Sequence, residues 1–344
     1  MNKGMVNMQR NPYFDNAKLI LIFLVVFGHM IQPFKGDSAL TGTLYTWMYT
    51  FHMPAFILIA GFFAKGSGKI DYIIKLGKKL LIPYLIFQAI YSIYYVYIGK
   101  NDTLTGSVFY PHWSLWFLVS LFGWHILLIL FRKIPPLLGI SIAVLFGIII
   151  GYFDQVGHTF SLSRTFVFFP YFLIGFWTTE QQIRQLGRKS IKIASSIVLV
   201  MVAVIIYFAP DIHTGWLLAS KPYTDLGAPL FGSFARMSVY MTSIIMVTSV
   251  LAWIPSKRFS FTSLGARTLY VYLLHGFFIQ LFRQWGMFRA DNIIDLLSLA
   301  FITLVIVFIL SSRTVIMIWQ PLIEGSVSAF RKAMRSKKEG INEG

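Results

Sequence analysis

The chain has 344 residues, 56% of them hydrophobic and only 12% charged, with a mean hydropathy of +0.68. A soluble domain carries roughly 25% charged residues, so the composition excludes an ordinary water-soluble globule and makes the bilayer the main solvent. The net charge of +17 does not point to nucleic acid, because the lysines and arginines sit in short clusters between apolar runs, and the absence of cysteine excludes disulfides, Cys-based zinc sites and thiol nucleophiles.

Met1–Asn11 is short and polar, and the apolar run Leu19–Phe27 carries on to His29 without a small-residue cleavage site, so it reads as a signal anchor. About ten stretches approach the ~20 residues a helix needs to cross ~30 Å of hydrocarbon. They cover 18–34, 43–63, 80–98, 113–131, 135–153, 165–178, 191–209, 234–254, 269–285 and 293–312. Basic residues crowd alternate connections: Lys65, Lys69, Lys75, Lys78 and Lys79; Arg132 and Lys133; Arg184, Arg188, Lys189 and Lys192; Lys257, Arg258 and Arg267; and the tail from Arg331. The other connections hold only Lys35, Lys100, Arg164, Lys221 and Arg289. The positive-inside rule then puts both termini in the cytoplasm. The expected fold is an all-α polytopic bundle: a cytoplasmic segment 1–17, a membrane domain 18–319 and a basic tail 320–344 that touches anionic lipid.

Polar groups inside membrane spans are costly and mark function by default. Eleven residues separate Lys18 from His29, which at 100° per residue returns to within about 20° of one helix face, roughly 16 Å further on. One face thus carries a cation near the inner mouth and an imidazole deep in the outer half. Asp15 precedes Lys18 by three residues, a spacing that permits an ion pair and suits a helix N-terminus. The bland alternatives are a snorkelling Lys18 and a His29 that hydrogen-bonds a neighbouring helix.

In the second span, Pro54 is expected to kink the helix and Gly61 to admit a close neighbour. His52 falls at a depth comparable with His29, so it either faces the same cavity or satisfies a carbonyl freed by the kink. Lys75, Lys78 and Lys79, just before Pro83, offer point charges for phosphates or serve as topology determinants. His125 and His275 read more simply as helix–helix hydrogen bonders than as catalysts. His112, His158 and His213 lie in or beside external connections, and Arg236 either snorkels or binds an anion. Trp113, Trp116 and Trp124 fit an interfacial aromatic belt. No Asp or Glu lies in the middle of any span, which weakens a proton-coupled transporter and leaves His29 without a carboxylate to orient it.

Phe14-Asp15-x-x-Lys18, ten residues and His29, then Pro33-Phe34, resembles the opening of the acyltransferase-3 family of membrane acyltransferases. Phe51-His52-Met53-Pro54 leading to Gly61-Phe62-Phe63 is similar to the second signature of its fucose-4-O-acetylase-like branch. Lys78-Lys79-Leu80-Leu81-Ile82-Pro83-Tyr84 resembles the family's basic segment, and Trp116-Phe117-Leu118 and Tyr272-Leu273-Leu274-His275 match weaker signatures. Much of the family has Arg where this chain has Lys18, which keeps the charge and loses the bidentate fork.

The resemblance implies a multi-pass enzyme of the inner (cytoplasmic) membrane. It would move an acyl group, acetyl first, from cytoplasmic acyl-CoA to a hydroxyl of a glycan or lipid-linked saccharide. His29 would act as general base or acyl carrier, His52 as a second catalytic group, and Lys18, Lys75, Lys78 and Lys79 as holders of the CoA phosphates, with Asp15 and Pro54 as orienting residues. Acetyl-CoA is the expected co-substrate and no metal is expected. The expected partners are membrane lipids and glycan-biosynthesis proteins, not nucleic acid. The competing reading is a transporter or flippase exporting a glycan or lipid-linked precursor, although no matched pair of interrupted spans is visible.

Overall fold

The computed structural model describes residues 11–66, 70–104, 108–154, 159–209 and 212–324. Expectations placed on the first ten residues, on Lys69, on His158 and on the basic tail from Arg331 lie outside them. Among the described residues the chain forms fourteen α-helices and no strand, as the all-α expectation requires. They are α1 (Pro12–Ile31), α2 (Ala39–Tyr49), α3 (His52–Phe62), α4 (Ile70–Tyr97), α5 (Trp116–Phe131), α6 (Pro136–Ile149) and α7 (Leu162–Trp177). The second half holds α8 (Glu180–Leu186), α9 (Lys189–Phe208), α10 (Gly215–Leu218), α11 (Gly232–Trp253), α12 (Thr268–Gln284), α13 (Ile293–Leu310) and α14 (Arg313–Glu324).

Six of the described helical stretches are long and apolar enough to cross a bilayer: Pro12–Phe34, Ile70–Tyr97, Thr159–Trp177, Lys189–Phe208, Gly232–Trp253 and Ile293–Leu310. Trp116–Phe131 and Pro136–Tyr152 are shorter apolar helices. The protein is therefore a multi-pass membrane protein. Helix α9 turns almost its whole apolar surface outward (Ile193, Ile197, Val200, Val204), as a lipid-facing helix does when lipid tails are as apolar as its own side chains.

Hydrogen bonds sort the connections onto two faces of the bundle. On one face, Tyr13 Oη donates to the Leu251 carbonyl (2.8 Å), and Asn16 Nδ2 donates to the carbonyls of Pro255 (2.8 Å) and Lys257 (2.9 Å). Arg267 joins this face through the Ser311 carbonyl (2.7 Å), and Lys65 joins the ends of α3 and α7 through the carbonyls of Phe176 and Thr178. This basic face holds the N-terminus of α1. On the opposite face Lys35 donates to Thr214 (2.8 Å), Thr41 to the Ala290 carbonyl (2.9 Å), Lys100 to Gln280 (2.9 Å) and Gln284 to the Gly99 carbonyl (3.0 Å).

Helix α1 is clamped at both ends. Asn11 caps its first turn by accepting from the Tyr13 amide (3.1 Å), with Pro12 where a missing N–H is harmless. At the far end, Arg283 Nη2 of α12 donates to the His29 carbonyl (2.5 Å), one of the last-turn carbonyls that a helix leaves open, and to Gln32 Oε1 (2.8 Å). Between the clamps α1 packs on α2, α3, α12, α13 and the turn 262–266.

The stretch expected as one kinked span over 43–63 is two helices. Pro54 has no N–H to donate and its ring collides with the carbonyl four residues back, so the helix from Ala39 does not run through it. Phe51 leaves helical geometry (φ −133°, ψ −28°), α3 begins at His52, and Pro54 falls in its first turn. Below the break, α3 crosses α7 backbone to backbone: a side chain at Gly61 would strike the Phe172 carbonyl, and one at Gly175 the Leu58 carbonyl.

Because those obstacles are main chain, neither glycine has room to yield. Gly175→Leu is expected to lose at least about 1–3 kcal/mol, seen as a lower melting point and aggregation in detergent by fluorescence-detected gel filtration. Arg283→Leu is expected to leave a helix-end carbonyl and Gln32 Oε1 unpartnered, a loss of about 1–3 kcal/mol; hydrogen exchange should then quicken at residues 28–34 and not at the Asn16 end.

Candidate active site

His29 lies in the last turn of α1, half-buried, on the face that also carries Ile22 and Val25. Spacings of three and four residues line these side chains up, and all three border an interior cavity of about 120 Å³. The opposite walls come from Met53 and Phe56 of α3, Leu80 of α4, Leu121 of α5 and Tyr272 of α12. The lining runs from His29 to Thr268 and Leu269, at the α12 end that Arg267 ties to the basic face. It is an almost wholly apolar slot, polar at the His29 end.

Around His29 the rings close into a cluster. Trp113 sits with its ring centroid 4.3 Å away, and His275 lies near-parallel at 5.6 Å and 22°. Trp113 also touches His275 (5.3 Å) and lies beneath the Arg283 guanidinium (5.3 Å), so it covers the pair. To sit there it takes a left-handed backbone (φ 34°), a strained conformation for a bulky residue and one that clusters at functional sites. Gly276 makes room, since a Cβ there would press on the Trp113 ring.

Many buried polar side chains elsewhere find partners: Ser120 meets Thr165 (2.8 Å), Trp124 the Thr165 carbonyl (2.7 Å) and Tyr240 the Val167 carbonyl (2.8 Å). At this cluster they do not. His29 Nδ1, His275 Nε2, Ser114 Oγ, Tyr49 Oη and Arg283 Nε are all buried without a hydrogen-bond partner. Each such group costs about 1–3 kcal/mol. Five of the nine such atoms among the described residues lie at or beside this cluster, and those of His29 and Ser114 belong to residues that line the cavity, a pattern that suits the binding of a polar group there.

The remaining candidates fall in three places. Lys18 pairs with Asp15 (2.8 Å), as their spacing permits, and lies over the Phe63 ring (5.9 Å) one turn below Ile22. Lys75, Lys78 and Lys79 are exposed on α4 immediately before the cavity residue Leu80. His52 is buried with Nδ1 on the Met48 carbonyl (2.8 Å) at the helix break and its ring edge-on to Tyr49 (4.4 Å), while its neighbour Met53 lines the cavity. His125 packs against Phe172 (5.2 Å) away from the cluster; His112 bonds Ser92 (2.8 Å), and His213 accepts from the Gly215 amide (3.1 Å). Arg236 is buried and donates to the Trp216 carbonyl (2.6 Å).

Sequence reasoning assigned no site role to four contributors. Arg283 lies inside the span 269–285 and was as visible a charge as Lys18, but a cation near a span end reads as an anchor. Arg164 donates through Nε to the Leu218 carbonyl (3.1 Å) and stacks 4.9 Å over Trp116, a wall of the cavity. Trp113 and His275 read in the sequence as a belt aromatic and a helix–helix hydrogen bonder; in the structure both pack against the His29 ring. On the opposite face, burial over the Tyr95 ring, with Arg283 nearby, lowers the Lys100 pKa from its ordinary value.

Among the described residues no group of three His, Asp or Glu side chains converges as metal ligands do. Comparison with known proteins adds an independent line. The chain is similar to the nodulation protein NolL of Mesorhizobium japonicum, 25% identical over 296 residues that cover 78% of this chain and 76% of that protein. No solved structure matches. The sequence profile of the acyltransferase domain matches residues 11–312, nearly the whole membrane domain. With that extent of match, and with a polar cluster at the head of an apolar slot, the chain belongs to the acyltransferase-3 family of membrane acyltransferases.

Proposed function

We propose that this enzyme is an O-acyltransferase of the cytoplasmic membrane, crossing it ten times with both ends in the cytoplasm. It moves an acyl group, acetyl first, from cytoplasmic acyl-CoA to a hydroxyl of a glycan or lipid-linked saccharide at the outer face. The observation that carries the proposal is the slot along α1, which leads from the basic face to His29 and ends among unpartnered polar atoms. The narrow apolar slot suits the thin thioester end of a pantetheine arm rather than a sugar ring. Lys75, Lys78 and Lys79, exposed beside its α4 wall, suit the CoA phosphates, with Lys18 further along α1. The ten crossings correspond to α1, the α2–α3 pair, α4, α5, α6, α7, α9, α11, α12 and α13, with basic residues on the cytoplasmic side.

In the reaction the acceptor hydroxyl oxygen attacks the thioester carbon while His29 takes the hydroxyl proton. A C–O bond forms, the C–S bond breaks, and the CoA thiolate leaves. The same proton passes from His29 to the thiolate, so the imidazole ends neutral. The tetrahedral intermediate needs donors for its oxyanion. Ser114 Oγ and Tyr49 Oη are unpartnered nearby, whereas His52 Nδ1 is already engaged at Met48. Trp113 and Arg283 close the cluster from the opposite face and limit the entry of water to the thioester.

His29→Ala is expected to leave the protein inserted and monodisperse while lowering acyl transfer by roughly 10²–10⁴-fold, measured as ester on cell-surface glycan by mass spectrometry and as CoA release by purified enzyme. Normal ester content in this variant would refute the catalytic assignment. Lys78→Glu combined with Lys79→Glu is expected to raise KM for acyl-CoA at least tenfold with kcat little changed, and the effect should shrink as salt rises.

A further inference from the structure

Among the described residues no carboxylate acts on the His29 ring, and a general base works only in the tautomer that turns its lone pair to the substrate. The surroundings of His275 supply what is missing. His275 Nδ1 lies 3.0 Å from the Val271 carbonyl, one turn back on α12. A carbonyl only accepts, so Nδ1 carries the proton and Nε2 of the neutral ring is left with a lone pair. That Nε2 is buried without a partner, and so is Nδ1 of His29, whose near-parallel ring lies 5.6 Å away. The two orphaned nitrogens are complementary if His29 is protonated on Nδ1. At this ring separation a small rotation, or one bridging water, joins them.

The other polar neighbour is Gln32, one turn beyond His29. Its Oε1 accepts from Arg283 (2.8 Å) and its amide nitrogen donates to Tyr45 Oη (3.2 Å), which leaves one lone pair and one N–H over, so Gln32 is the competitor of His275 for the His29 ring. Trp113, packed on both imidazoles, screens the pair from competing water.

We propose that His275 is the positioning residue of this site: fixed as a hydrogen-bond acceptor by the Val271 carbonyl, it holds His29 as the Nδ1–H tautomer, so that His29 Nε2 presents its lone pair to the acceptor hydroxyl. His275 takes the part that an aspartate plays in a Ser-His-Asp triad, with the proton order Val271 carbonyl, His275 Nδ1–H, His275 Nε2, His29 Nδ1–H, His29 Nε2. When His29 becomes imidazolium in the transition state, the Nδ1–H bond to a neutral acceptor strengthens and no proton moves to His275. The inference rests on His29 being the base, and its test separates the two.

The full-length protein, with 15N-labelled histidine, is placed in lipid nanodiscs, and the His29 signals are identified by their loss in His29→Ala. The expected spectrum shows His29 protonated at Nδ1 and bare at Nε2, and His275→Leu converts it to a mixture of tautomers. In acyl transfer, His275→Leu is expected to lower kcat roughly 10²–10⁴-fold with KM for acyl-CoA unchanged within about twofold. His275→Gln, whose Oε1 accepts where Nε2 did, should recover at least tenfold over His275→Leu. A wild-type His29 protonated at Nε2, an unchanged His29 spectrum in His275→Leu, or equal rates for the Gln and Leu variants would each overturn the relay. A loss of the His29 tautomer in Gln32→Met but not in His275→Leu would assign the role to Gln32 instead. If the wild-type enzyme transferred no acyl group, the functional reading would fall while the tautomer spectra still judged the relay.

Discussion

Water is scarce inside a membrane bundle, so a polar side chain there either finds a partner in the protein or carries a penalty of about 1–3 kcal/mol. This protein meets that constraint in most of its interior by aiming hydroxyls, indoles and phenols at nearby carbonyls. Thr303 bonds the carbonyl of Leu299 (2.7 Å), Ser163 that of Ala219 (2.9 Å) and Tyr91 that of Leu273 (2.7 Å). Five of the atoms left over lie at or beside the His29 cluster, while Tyr95 Oη, Arg236 Nε, Gln280 Nε2 and Ser311 Oγ are left over elsewhere. In the proposed reaction, the open atoms around His29 would meet the thioester and the hydroxyl, which bring donors and acceptors of their own.

The cluster is useful only if α1 neither rotates nor slides, because a turn of one residue, about 100°, would take His29 out of the slot. Two sets of hydrogen bonds prevent it. Asn16, buried and bonded to Pro255, Lys257 and Thr262, fixes the basic end, and Arg283 on the His29 carbonyl fixes the other. Arg283 also lies over Trp113, so one guanidinium ties α1, α12 and the loop before α5 together. The strained backbone of Trp113 is sustained by those contacts.

The break between α2 and α3 has a related consequence. Had the chain run as one helix from Ala39 to Phe62, its side chains would have kept a single helical phase across the bundle. Interrupted at Thr50 and Phe51, the segment sets Tyr45 and Tyr49 beside α1 and still delivers Met53 and Phe56 to the slot. His52 spends its Nδ1 proton on the Met48 carbonyl at the interruption, which suits a structural role at the join.

Much of this was legible in the sequence. Hydropathy reveals a multi-pass helical protein because every spanning backbone must satisfy itself. The spacing of Lys18 and His29 reveals a shared face, because helical geometry is local. The Asp15–Lys18 pair is legible for the same reason. The Pro54 interruption was half legible: proline announces a disturbance, but whether the helix bends or stops depends on what packs beside it. Arg283, Trp113 and His275 were illegible as site residues, because nothing local distinguishes an anchoring arginine, a belt tryptophan or a bridging histidine from one that faces His29. They reach it from positions 254, 84 and 246 residues along the chain from His29. Sequence alone determined the solvent, the helices and the histidine; only the packing of α1 against α12 and the loop before α5 decided its company, because side-chain contacts between distant helices are set by how their surfaces fit.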